Sequence, residues 1–298
     1  MFIRIYLFFF IYAFLGWCTE VVYAALTVGK FVNRGFLNGP LCPIYGFGII
    51  AVVKFLMPVK NNLFLLFIGS IFITSLLELL TGFVLEKMFN HKWWDYSDKP
   101  FNIGGYICPL FSLMWGIACL IVVDKIHPMI SGLVYIIPDT AAVVFLAITS
   151  IVLLVDLVAT VNTIFKLNKK LKHIEELSAM IKKSSDEIGE NLAAGAIILA
   201  EKKEEVEDKM YQKKEIIEEK IDYTKKLLES EIASRRQITK EVLARSEQAL
   251  AELKKENKEL LESSIFGQKR LLNAFPNLKS TRYKEALKAL KEHVFRKQ

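Results

Sequence analysis

Asn33-Arg34-Gly35-Phe36-Leu37-Asn38-Gly39-Pro40-Leu41-Cys42-Pro43-Ile44-Tyr45-Gly46-Phe47-Gly48 opens the second long apolar stretch of this chain. Its two prolines remove backbone donors and its glycines loosen the backbone, so it cannot be a smooth helix throughout. Carbonyls freed at membrane depth must find partners in protein or water. Two readings stand. A helix beginning near Pro40 or Pro43 would offer free N–H groups to an anion. Alternatively the segment is a tight turn with close helix packing through glycine and a kink at Pro43.

Shifting the chain by 66 residues aligns Gly39 with Gly105, Cys42 with Cys108 and Pro43 with Pro109, without a gap. The same shift aligns Gly16 with Gly82 and Glu20 with Glu86. These identities recreate two patterns, Gly-aromatic-x-x-Glu-x-x-aromatic and Gly-x-x-Cys-Pro-aliphatic-aromatic, so residues 12–57 and 78–123 read as an internal repeat. The second copy, Pro100 to Ser112, is weaker and carries Ser112 where the first has Gly46. A loop rich in aromatics and in both charge signs, His91 to Lys99, precedes it.

The 298 residues are 53% hydrophobic, but the charges are segregated. Residues 1–167 hold 10 of the 39 Lys and Arg and 8 of the 32 Asp and Glu. A bilayer core of ~30 Å takes roughly 20 apolar residues per helical span. Five stretches qualify, 2–27, 39–57, 62–86, 103–123 and 140–166. The expected fold class is all-α: a polytopic membrane protein of five transmembrane helices, a tandem parallel two-helix repeat plus one, with a long cytoplasmic helical or coiled-coil tail. The domains are 1–167 in the membrane, 168–265 as a long helix, and 266–298 as a basic amphipathic helix. The first stretch is too long for a signal peptide, carries Trp17 and Glu20, and lacks a small-residue cleavage site. Cys18, Cys42, Cys108 and Cys119 all fall in spans and read as buried thiols.

Orientation follows from Lys and Arg in short loops. Lys30, Arg34, Lys87, Lys92, Lys99 and the lysines after span five fall on one side, which makes the N-terminus external and the tail cytoplasmic. The expected setting is a membrane, with the lipid bilayer as the first partner.

Charge inside a bilayer costs at least ~2.5 kcal/mol, so membrane carboxylates face a protein interior or water. Glu78 and Asp156 lie deep and are expected to form a polar centre, while Glu20 and Glu86 approach the cytoplasmic ends. Each of the latter has a base one loop later, Arg34 and Lys99, with which an ion pair would close the loop. Asn38, Asp95 and Asn102 in the loops complete the candidate set for substrate binding or gating. The rival reading leaves Glu20 and Glu86 solvated at the interface.

The ordered motifs Phe14-Leu15-Gly16-Trp17-Cys18-Thr19-Glu20, Asn33 to Gly46, and Trp94-Asp95-Tyr96-Ser97 with Pro100-Phe101-Asn102 resemble the bacterial ABC-transporter type IV permease family. The resemblance covers about residues 1–125 and implies a transporter subunit of unassigned substrate. A G-x-x-x-x-G-K-[ST] phosphate loop is absent, so a separate ATPase subunit would supply hydrolysis. H-E-x-x-H, a spaced Cys and His cluster and G-x-S-x-G are also absent. No cofactor, metal or catalytic residue is expected, and the chain is read as a non-enzyme.

The tail from Lys169 to Ser264 reads as helix, with a break near Gly189 and Gly195. Beyond it apolar positions recur every eleven residues, as in Val206, Ile217, Leu228, Thr239, Leu250 and Leu261. That period gives a nearly straight seam. A single helix over 196–264 would span roughly 100 Å, and its stripe needs a partner. A homo-oligomeric coiled coil is the first reading and an anionic membrane surface the second. After Gly267 a second unit begins, Lys269 to Ser280 and then Tyr283 to Phe295 as a short amphipathic helix, which could cap the coil or dock on the membrane domain; its charge is too compensated for nucleic acid. The leading function is a permease-like subunit; the alternatives are a non-transporting scaffold and a membrane-embedded enzyme.

Overall fold

The computed structural model describes residues 2–212 and 218–296. Its elements are α1 (Phe2–Val28), α2 (Pro43–Leu56), α3 (Leu63–Phe89), β1 (His91–Lys92), α4 (Pro109–Ile121), α5 (His127–Ile136), α6 (Asp139–Gln212), α7 (Glu218–Glu262), α8 (Gln268–Ala274), β2 (Lys279–Ser280) and α9 (Lys284–Arg296). They form two compact units, Met1–Leu171 with Ser264–Gln298, and Lys172–Ser263.

Helix boundaries follow local chemistry. Pro43 and Pro109 occupy first-turn positions of α2 and α4, where a missing N–H costs nothing. Asn62 caps α3 by accepting from the Leu65 N–H at 3.1 Å. Asn90 ends that helix in the left-handed region at φ 58°, and its N–H closes on Glu86 O.

Among the described residues four helices are long and apolar enough to cross a membrane: Phe2–Val28, Leu63–Phe89, Pro109–Ile136 and the first part of α6. Of the five stretches expected to cross, 39–57 is not among these four. The apolar helix Pro43–Val59 is shorter, because residues 29–42 leave helical geometry before Pro43. The fourth helix begins at Pro109 rather than 103, and a π-helical turn at Val122–Ile126 carries it on into α5.

The helices pack through glycine. A Cβ on Gly16 would stand 2.2 Å from Tyr45 Cγ, and one on Gly46 would stand 2.6 Å from the Phe9 carbonyl oxygen. Ser75 and Ser112, which lie 66 residues after Phe9 and Gly46, are joined by a hydrogen bond of 2.8 Å. One core joins Leu7, Phe10 and Tyr12 to Ile130, Val134 and Leu146. A second joins Val52 and Leu56 to Leu66, Cys119 and Val123. Around them Phe72, Leu76, Leu154 and Val155 face outward, as lipid-facing side chains do.

The C-terminal segment folds as α8, β2 and α9 within the first unit, with α9 lying over the short amphipathic helix expected at 283–295. β2 pairs antiparallel with β1, His91 opposite Ser280 and Lys92 opposite Lys279. Leu271, Leu272, Leu278, Leu287 and Leu290 are buried, each worth roughly 1.5–3 kcal/mol. Trp93 meets Phe36 at 5.0 Å and Phe275 at 4.9 Å between ring centroids, so the segment shares aromatic packing with both loops.

In the second unit, α6 and α7 run antiparallel, with His173 facing Glu256 at 3.7 Å and Gly195 facing Thr239. A single straight helix over 196–264 is therefore corrected: part of the stripe finds its partner in the same chain, where Leu250 and Leu261 are half-buried. Ile217 and the side chains of Val206 and Leu228 lie outside the described residues.

Candidate functional site

The loop between α1 and α2 is rich in glycine and proline, so its peptide groups cannot all satisfy one another. The structure supplies both polarities from elsewhere in the chain. Asp156 on α6 accepts from the N–H groups of Asn38 at 3.0 Å and Gly39 at 2.7 Å, from Asn38 Nδ2 at 2.9 Å, and from Thr160 Oγ1 at 3.3 Å. Arg270 on α8 donates through Nη1 to the carbonyls of Gly35 at 2.8 Å and Leu37 at 2.9 Å, and through Nη2 to that of Phe36 at 3.1 Å. Burial lowers the Arg270 guanidinium below its ordinary range, and the negative charge of Asp156 opposes that shift. Asn33 completes the loop, donating to Asn38 O at 2.7 Å while accepting from Trp17 Nε1 at 2.8 Å.

Asp156 therefore does not join Glu78 in the expected polar centre; it holds the backbone of the loop. Glu78 accepts from the Tyr96 hydroxyl at 3.2 Å, and its other oxygen is buried with no partner among the described residues. Glu20, which acts electrostatically on Glu78, accepts from the Tyr45 hydroxyl at 2.6 Å and pairs with Arg34 at 3.5 Å. Glu20, Tyr45, Glu78 and Tyr96 thus form the acidic interior.

Glu86 is met differently from the expected pair with Lys99. It accepts from the Tyr106 hydroxyl at 2.7 Å, while Lys99 sits 3.2 Å from its neighbour Asp98. Lys99 is more than a third exposed, and a solvated pair with an adjacent carboxylate gives it no reason to reach inward. Asn102 braces this second loop, donating to Lys99 O at 2.8 Å and accepting from the Gly105 N–H at 3.0 Å. Lys92 adds a bond of 2.9 Å to Gly104 O.

Asp95 joins the loop to the C-terminal segment. It pairs with Lys279 at 2.6 Å and accepts from both the N–H and the hydroxyl of Ser97. Burial alone would raise its carboxyl, but Lys279 and Ser97 outweigh burial and bring it down to about 2. His91 is buried beside this contact, and burial lowers its imidazole below 6.5.

Arg270, Lys279, Tyr45, Tyr96 and Tyr106 are missing from the sequence-derived set. For Tyr45 the signal was present, since it belongs to the repeated Cys-Pro-aliphatic-aromatic pattern. For Arg270 none was, because it lies 233 residues from Leu37. Among the described residues no three His, Cys, Asp or Glu side chains gather as a metal site would require.

Apolar helices, a polar interior and a charged, loop-bearing face together define a polytopic helical membrane protein. A family model described as putative ABC-transporter type IV matches residues 7–161, more than half of the chain. The chain belongs to that family. The match runs through Asp156, beyond the motif-bearing residues 1–125. Neither the curated proteins nor the solved structures gave a match.

Proposed function

We propose that this chain is the membrane subunit of a transporter whose ATP hydrolysis comes from a separate protein. The observation that carries the reading is the acidic interior: Glu20 and Glu78 are each held by a tyrosine hydroxyl, and one buried Glu78 oxygen has no partner among the described residues. A half-satisfied carboxylate inside a bilayer is costly and typically marks a solute or proton path. The family to which the chain belongs agrees with this reading.

In this reading the helix Pro43–Val59 completes a fifth crossing together with the loop before it, the N-terminus is external, and the tail lies in the cytoplasm of a bacterial inner membrane. The matched contacts of Gly46 with Phe9 and of Ser112 with Ser75 support an internal duplication, with Tyr45 and Tyr106 taking the same role toward Glu20 and Glu86 from different sequence positions. Leu192, Ile197, Ile238 and Val242 remain about half exposed on the tail hairpin, and a second copy of the chain is the partner proposed for them. A single cysteine replacing Ile238 would then cross-link between chains.

The test is purification of the full-length chain from its native membrane, followed by assay for a bound ATPase. Co-purification, with Glu78→Gln uncoupling hydrolysis from solute movement, is the expected result. Absence of an ATPase, together with silent Glu78→Gln and loss of function on tail deletion, would establish the scaffold alternative. Strict dependence on one carboxylate without any ATPase would establish the membrane-embedded enzyme.

A further inference from the structure

The C-terminal segment, reached in the chain only after the long α6–α7 excursion, returns to grip both loops of the membrane unit. Arg270 holds three consecutive carbonyls, those of Gly35, Phe36 and Leu37. Gly267, at φ 77°, lets the chain turn against Thr163, whose hydroxyl donates to Phe266 O at 3.3 Å. Beyond α8, the Thr281 N–H donates to Asn90 O at 2.9 Å, and Lys279 pairs with Asp95. Lys291 secures the turn between α8 and β2 by donating to Pro276 O and Leu278 O.

The two loops depend on this grip unequally. The second has its turn braced by its own Asn102 and Lys92, and meets the segment through the β1–β2 pairing, Trp93 on Phe275 and Lys279 on Asp95, none of which involves Arg270. The first has Asn33 and the Leu41 N–H within itself, but the carbonyls of Gly35, Phe36 and Leu37 are held by Arg270 and the N–H groups of Asn38 and Gly39 by Asp156. Take Arg270 away, and three carbonyls must turn toward water, moving a loop that ends three residues before Cys42. Cys42 is buried, with its N–H fixed to Ala13 O at 2.9 Å.

We propose that residues 264–281 are a latch acting in cis: Arg270 holds the 35–39 loop closed over the start of α2, and its release opens that loop to the aqueous side. The latch does not depend on what the protein transports.

The native thiol of Cys42 reads the state of the latch. Full-length protein with Cys18, Cys108 and Cys119 replaced by Ser is treated in inverted membrane vesicles with a membrane-impermeant maleimide. Slow labelling is expected for the closed latch, and Arg270→Gln should raise the initial rate at least about tenfold. Arg270→Lys, a point charge without the planar fork, should fall between the two. Lys279→Gln, which loosens only the second loop, should change the rate less than twofold.

A parallel protein retaining Cys119 alone reports global unfolding, since Cys119 is buried in the second core. If Arg270→Gln exposes Cys119 as well, the milder Arg270→Lys decides. Wild-type labelling of Cys42 in Arg270→Gln with Cys119 protected, or in Arg270→Lys when the Gln variant unfolds, would overturn the latch. So would rapid labelling of the unsubstituted latch.

Discussion

Replacing Asp156 tests how the first loop is held. The carboxylate accepts four hydrogen bonds, two of them from the consecutive N–H groups of Asn38 and Gly39. Hydrogen bonds to a charged group contribute about 1.5–3 kcal/mol each, but four bonds on one side chain are not independent, and two of the donors can turn to water. Asp156→Ala should therefore cost about 3–5 kcal/mol. For a unit of roughly 200 residues, 1 kcal/mol moves Tm by about 2–4 °C, giving a fall of roughly 6–20 °C. Thermal unfolding of detergent-solubilised protein measures it. Asp156→Asn discriminates: it keeps one acceptor oxygen but turns an NH2 group toward a backbone N–H, so it should recover less than half of the loss. Asn variants melting within 2 °C of wild type would show that no ionised carboxylate is needed there and would refute the assignment.

Acidification should weaken the contact between the second loop and the C-terminal segment in two stages. His91 has a folded pKa below its ordinary 6.5, so its neutral form contributes stability above that pH, lost as pH falls through the folded value; His91→Phe should flatten this limb of a melting curve against pH. Asp95, at about 2 against 3.8, contributes stability above pH ~4 that disappears toward pH ~2, and Lys279→Gln should remove that limb. Gly46→Ala should destabilise by about 1–3 kcal/mol in the same unfolding assay, because its Cβ meets the Phe9 backbone, whereas Gly132→Ala, with nothing within 4 Å, should be neutral or stabilising. A Gly195→Cys, Thr239→Cys pair should form a disulfide within one chain, seen as a mobility shift on non-reducing gels; failure to form it would argue against the α6–α7 hairpin.

The membrane helices were legible in the sequence because apolar length is a local property. So was the position of the glycines, since Gly16 and Gly46 lie where helices approach closely. Arg34 with Glu20 could be proposed from loop length alone, and the two lie 3.5 Å apart. The same rule misplaced Lys99: spacing cannot say that Asp98 next door offers a cheaper, solvated partner than Glu86, which Tyr106 already satisfies. Asp156 was recognised as costly but assigned to the wrong neighbours, because depth in a hydrophobic run does not reveal which loop folds beneath it. Arg270 was invisible, since a basic residue in a basic tail has no pattern to mark it. The tail stripe correctly asked for a partner, yet periodicity cannot distinguish a second chain from the same chain returning.

The two loops solve one problem in opposite ways, and that difference locates mobility. Each must satisfy peptide groups freed by glycine and proline. In the second, Phe101 at φ 56°, Gly104 and Gly105 adopt left-handed backbone, which turns the chain tightly enough for Asn102 and Lys92 to close it. Such a loop carries most of its bonds with it wherever it moves. Within the first loop no described residue between 30 and 42 has positive φ; Gly29 precedes it, and its bonds run to α6 and α8. Those bonds break when either element shifts, so the free energy of opening is set outside the loop. A conformational cycle in this protein should therefore act on residues 33–39, with residues 91–107 moving as a body.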